Sequence, residues 1–121
     1  ERTATYDKEG HLTKEYTCHN NESKNTIFYS YDSKGNLIET ASYNGNEELS
    51  IRKRYRYDEK GNPIEVSIDL FTMNQSFKWY YAYSYDRFGN VTEKQADDQI
   101  WAYTYDKDNN KTIEKVYKKS N

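Results

Sequence analysis

Cys18 and His19 stand side by side, and a thiol beside an imidazole is the minimum equipment for a nucleophile with its base, or for two ligands to a metal. The rest of the chain withholds the complement. Cys18 is the single cysteine and His11 the single other histidine, so neither a disulfide nor a metal site of normal nuclearity assembles from these types, and polar residues at a strand end are expected instead. The run Asp106-Lys107-Asp108-Asn109-Asn110 imitates the opening of a calcium loop, but the required glycine and bidentate glutamate are replaced by Lys111 and Tyr117. Glu47-Glu48 and Asp97-Asp98 offer the carboxylates that glycoside cleavage uses in pairs across a cleft. Both fall in or beside predicted turns, where solvated acids are ordinary. No catalytic residue, metal or cofactor is assigned on these grounds.

Surface chemistry gives two further candidates. "RKRYR" places Arg52, Arg54 and Arg56 on one side of a strand with Tyr55 and Tyr57 on the other. A single-stranded nucleic-acid track sets its aromatics beside the basic groups, so a solvated outer face, guarded by charge against edge pairing, is the better reading. The aromatic alternation is the stronger candidate. Trp79, Tyr81 and Tyr83 recur at every second position, as do Trp101 and Tyr103. Such a face stacks sugar rings or traps a peptide when open, and merely stabilises the sheet as a cross-strand ladder when covered. Asn21, Asn74, Asn90 and Asn110 each begin an Asn-x-Ser/Thr triplet, as chance provides in an Asn-rich chain.

The elements that position these residues follow from one repeated phrase. Tyr-Asp followed by Gly or Asn three residues after the Asp occurs at Tyr6-Asp7, Tyr31-Asp32, Tyr57-Asp58, Tyr85-Asp86 and Tyr105-Asp106, the Asp residues lying 25, 26, 28 and 20 apart. Asp accepts a backbone hydrogen bond two residues on and Gly supplies left-handed backbone, which suits a three-residue hairpin loop with a Gly bulge. Asn109 fills the Gly place of the fifth copy because Asn tolerates that conformation. Alternating strands precede each turn, and polar, mostly Asn-rich second turns ("HNNESKN", "YNGNEE", "FTMNQS", "QADDQ") separate the phrases. The expectation is an all-β antiparallel meander of about ten strands in five hairpins, a single domain over 1–121 forming one curved sheet or an open shell-like layer. A three-residue loop at Asn44–Asn46 would set Leu37, Ala41, Leu49, Ile51 and Tyr55 on one face.

Composition is consistent with a thin core. Leu, Ile, Val and Phe total 18 of 121 residues, while 14 Tyr and 2 Trp supply apolar area that also tolerates water. Net charge is −2 and charges of both signs are interspersed, which favours neither nucleic acid nor a membrane surface as partner. No apolar run approaches the length of a membrane span.

"YSYDSKGNL", "YRYDEKGNP" and "YSYDRFGNV", with "TYDKEGHL" and "TYDKDNNK" at the two ends, resemble the YD-repeat, or Rhs-type, family of bacterial secreted and cell-surface proteins. That resemblance implies consecutive antiparallel hairpins and no catalytic residues within the repeats. It further implies a non-catalytic structural or binding module that is secreted or in the cell envelope, with protein or glycan partners; separately, the two free edges of such a sheet leave self-association open. In large members such hairpins wind into a shell around a cargo, for which five are too few. The alternative is a carbohydrate-binding accessory module using Trp79, Tyr81, Tyr83, Trp101 and Tyr103 as its platform.

Overall fold

The structure is a computed structural model that describes residues 1–20 and 22–119. Eleven strands follow one another: β1 (Arg2–Tyr6), β2 (Leu12–His19), β3 (Ser23–Tyr31), β4 (Leu37–Tyr43), β5 (Leu49–Tyr57), β6 (Pro63–Leu70), β7 (Gln75–Tyr80), β8 (Ala82–Tyr85), β9 (Val91–Gln95), β10 (Gln99–Tyr105) and β11 (Lys111–Lys118). A 3-10 turn at Phe71–Met73 is the only helical element among the described residues. Each strand lies beside its chain neighbour, β1 to β7 in one sheet and β8 to β11 in another, so the expected all-β meander of hairpins is what forms. Strand number rises from ten to eleven, and one sheet becomes two, because the run expected as a single strand through Phe77 and Tyr85 breaks at Tyr81. There the backbone N–H donates to the Ile64 carbonyl at 2.8 Å, and the chain then pairs with β9. The Cα positions form two compact units, one of residues 1–56 with 66–78 and the other of 57–65 with 79–121.

The Asp turns are built as their chemistry requires. In each of the five, the Asp N–H donates to the carbonyl four residues on and the Gly or Asn N–H donates back to the Asp carbonyl. The carboxylate accepts the N–H two residues on at 2.9–3.0 Å and the N–H four residues on at 2.8–2.9 Å. The left-handed residue is Gly10, Gly35, Gly61 or Gly89, and Asn109 at φ 64° in the fifth, as expected. A sixth turn of identical pattern runs from Asn44 to Glu48. Asn44 stands in for the Asp, and the left-handed residue is Glu47 at φ 61°, not Gly45. The loop is therefore longer than the expected Asn44–Asn46.

A register shift just after the turn accompanies every hairpin of this class whose pairing is resolved. Thr13, Ile38, Ser50, Thr92 and Thr112 each bulge out of the returning strand. Three of the bulged residues use a hydroxyl to satisfy a carbonyl on the outgoing strand: Thr13 to Thr5 at 3.1 Å, Ser50 to Ser42 at 3.0 Å, and Thr112 to Thr104 at 3.3 Å. The Ser50 bulge overturns the expected face. Ala41 lies opposite Arg52, while Ile51 lies opposite Ser42, so Ala41 and Ile51 are not register partners.

The core is as thin as composition suggests. Among the described residues only Cys18, Ala41 and Ser67 are buried. Cys18, expected as strand-end polarity, is instead the most enclosed of them at 6% exposure; in the absence of large aliphatic side chains a small thiol behaves as a hydrophobe. Most of the tyrosines are half-buried, so that only part of each ring leaves water.

Candidate binding face

Three tyrosines of the Tyr-Asp phrase, Tyr31, Tyr85 and Tyr105, have a task distinct from that of their Asp. The Tyr31 hydroxyl donates to the Leu12 carbonyl at 2.8 Å, and the Tyr105 hydroxyl donates to the Val91 carbonyl at 2.6 Å. Leu12 and Val91 hold the same place, five residues after the Asp of the preceding turn. Tyr85 reaches back likewise, donating to the Asp58 carboxylate and accepting from Asn62 Nδ2 at 2.9 Å. Asp bends its own hairpin, and Tyr latches that hairpin to the one before it.

On the four-stranded sheet the latching tyrosines share a face with four of the five expected platform residues. Tyr83 and Trp101 both lie opposite Lys94, from the two sides of β9. The Lys94 ammonium sits 5.1 Å from the Trp101 ring and 4.9 Å from the Tyr81 ring, and Lys111 sits 4.2 Å from the Tyr103 ring. Tyr83 stacks on Tyr85, centroids 6.3 Å apart, and Lys60 covers the Tyr85 ring at 5.1 Å. Trp79 lies on β7, in the other sheet, 39% exposed, beside the exposed Phe77 and Tyr80. The expected platform is therefore divided by the break at Tyr81, and what gathers around Lys94 is Tyr81, Tyr83 and Trp101, with Tyr103 next along β10. Alternation flagged the rings but could not find the lysines, since which cation faces which ring depends on cross-strand register.

Burial, reinforced by the neighbouring Tyr85 and the Asp58 charge, pushes the Tyr83 phenol up to about 12. Tyr103 is raised by burial and then by Glu114. These phenols stay neutral through the physiological range and so supply ring faces and hydroxyls rather than a phenolate base. Attractive contacts between the ammonium groups and the rings keep part of each π surface occupied by the chain itself.

The remaining candidates resolve into structure. Arg52 and Arg54 reach Asp69 at 3.4 and 3.3 Å, Arg52 lies over the Phe71 ring at 5.4 Å, and their strand β5 runs between β4 and β6. Those arginines are cross-strand partners within a sheet, which corrects their expected part in guarding an edge. Glu47-Glu48 and Asp97-Asp98 are exposed turn residues. Asn74 adopts left-handed backbone, Asn90 donates to Asp86 at 3.1 Å, Asn110 closes the fifth turn, and Asn21 lies outside the described residues. His11, weighed in the sequence only against Cys18 and His19, instead meets Asp7 and Glu9, with one ligand-type atom from each within 4.8 Å of the others. Its Nδ1 lies 3.1 Å from Asp7 Oδ2. Asn36 and Asn90 donate to their own Asp from the same place, so the turn accounts for this group without a metal.

No family model matches the chain, and no curated protein matches it. Its fold is similar to that of part of a chain in the crystal structure of TcdB2-TccC3-Cdc42, with a TM-score of 0.58 and 19% sequence identity. The match takes in 91% of this chain and 6% of that one. At that identity the likeness is one of fold. No helix among the described residues is long and apolar enough to cross a membrane.

Proposed function

We propose that this chain is a non-catalytic structural or binding module of the bacterial cell envelope or exterior, built from latched hairpins. One observation carries the reading: the Asp side chains of the repeated phrase bend their own turns, and Tyr31, Tyr85 and Tyr105 latch successive hairpins, so the hydrogen bonds these side chains make serve shape. The fold likeness to a small part of a far longer chain is compatible with such a module. Protease added to intact producing cells tests the location. Cleavage of the protein is expected, whereas cleavage only after lysis would count against an exterior site.

A second reading, a carbohydrate-binding accessory module, draws on the exposed aromatic side chains of β7, Phe77, Trp79 and Tyr80. Glycan-array retention that is lost in Trp79→Ala or Trp101→Ala with the circular dichroism unchanged would favour it. Lys94 over the Trp101 ring weighs against Trp101 as an open stacking surface, so Trp79→Ala is the variant expected to matter if sugars bind.

A further inference from the structure

Among the described residues, the latch that joins successive hairpins is unused at Tyr6 and at Lys111. Tyr6 occupies the latching position of the first Tyr-Asp phrase, yet its ring is 60% exposed and its hydroxyl has no hydrogen-bond partner among the described residues. Lys111 occupies, five residues after Asp106, the place whose carbonyl receives the latch at Leu12 and Val91. β1 and β11 are sheet-edge strands, exposed at every position. We propose that the β11 edge of one copy of this chain receives the β1 edge of a second copy, head to tail, with the Tyr6 hydroxyl donating to the Lys111 carbonyl.

Register follows from the internal joints. Where β2 meets β3, the residue eight after the Asp lies opposite the residue four before the latching Tyr, Glu15 against Ile27, and where β9 meets β10 Lys94 lies against Trp101 by the same rule. Carried to the new joint, that spacing sets Arg2 opposite Glu114 and Glu1 opposite Lys115. Both cross-strand pairs bring opposite charges together, with Arg2, already bridged to Glu15 on β2, set between two carboxylates, a match that the repeat rule was not chosen to produce. Edge pairing would also satisfy the backbone groups that an uncovered edge strand leaves to water. The contact is heterologous, the same joint the chain already makes internally, and joins unlike surfaces of two copies.

Sedimentation of the purified chain over a concentration series tests this, with a mass rising above that of the 14.5 kDa monomer as the expected result. Tyr6→Phe removes one exposed hydroxyl and should weaken association about fivefold, the order expected for a single hydrogen bond. Glu1→Lys and Lys115→Glu should each weaken it, and the double swap should restore it. Tyr31→Phe, which breaks an internal latch, should lower the melting temperature while leaving association of the folded chain intact, which separates this inference from the scaffold reading. A chain that stays monomeric to about 1 mM, the weak end of specific binding, overturns the proposal. So does association indifferent to Tyr6→Phe, or a double swap that fails to recover it.

Discussion

The same one-atom deletion, Tyr to Phe, applied at successive copies of one phrase should give graded losses set by what each hydroxyl touches. At Tyr6 no partner is lost, so Tyr6→Phe at micromolar concentration should leave stability unchanged. At Tyr31 and Tyr105 a half-buried hydroxyl bond to a backbone carbonyl disappears, which costs about 1 kcal/mol each. At Tyr85 the deletion removes a bond to a carboxylate and strands Asn62 Nδ2 as well; bonds to charged groups are stronger, giving about 2 kcal/mol. For 121 residues, an unfolding entropy of about 2.1 cal/mol/K per residue converts these to melting shifts of about 0, 4 and 8 °C. Thermal and urea denaturation followed by circular dichroism would read the series, with the urea slope held constant. A flat series, or a Tyr6→Phe loss equal to that of Tyr105→Phe, would refute the latch: the tyrosines would then act through their rings alone.

Three further outcomes are expected. Glu47→Gly should stabilise by about 0.5 to 1 kcal/mol, since relief of left-handed strain on a side-chain-bearing residue exceeds the added freedom of the unfolded chain; a lower urea midpoint would contradict this. Tyr83 is raised to about 12 in the folded state, so the folded chain holds its proton where the unfolded chain, at about 10, releases it. Its contribution is complete below pH 10 and is lost as pH rises toward 12, and Tyr83→Phe should remove one late-titrating group from the ultraviolet phenolate titration. Lys94→Met should cost about 1 kcal/mol from two ring contacts and, in a Trp79→Phe background, make Trp101 more accessible to the neutral quencher acrylamide; unchanged quenching would show that the ammonium does not shield the indole.

Local chemistry was legible wherever a turn depends on its own residues. Asp7, Asp32, Asp58, Asp86 and Asp106 bend the chain through bonds that reach no further than four residues, and Asn109 takes left-handed backbone for reasons internal to one amino acid. The hairpins, their order and the aromatic alternation followed from that, because antiparallel neighbours joined by short turns have few other arrangements. The turn at Asn44 is longer than the three residues its sequence suggests because Glu47, a residue with no preference for left-handed backbone, is held there by Asn44 and by the pairing of Tyr43 with Leu49.

Tertiary structure alone decided whatever depends on register between strands. A single bulged residue, Ser50, moves Ile51 from Ala41 to Ser42, and no property of Ser50 in isolation announces the shift. The break at Tyr81, which separates Trp79 from the rings around Lys94, rests on a backbone bond to Ile64, 17 residues earlier. The tyrosine latch belongs to the same class: its acceptors, Leu12 O and Val91 O, are backbone atoms common to every residue type, so sequence carries the donor and leaves the acceptor invisible until the strands are laid side by side.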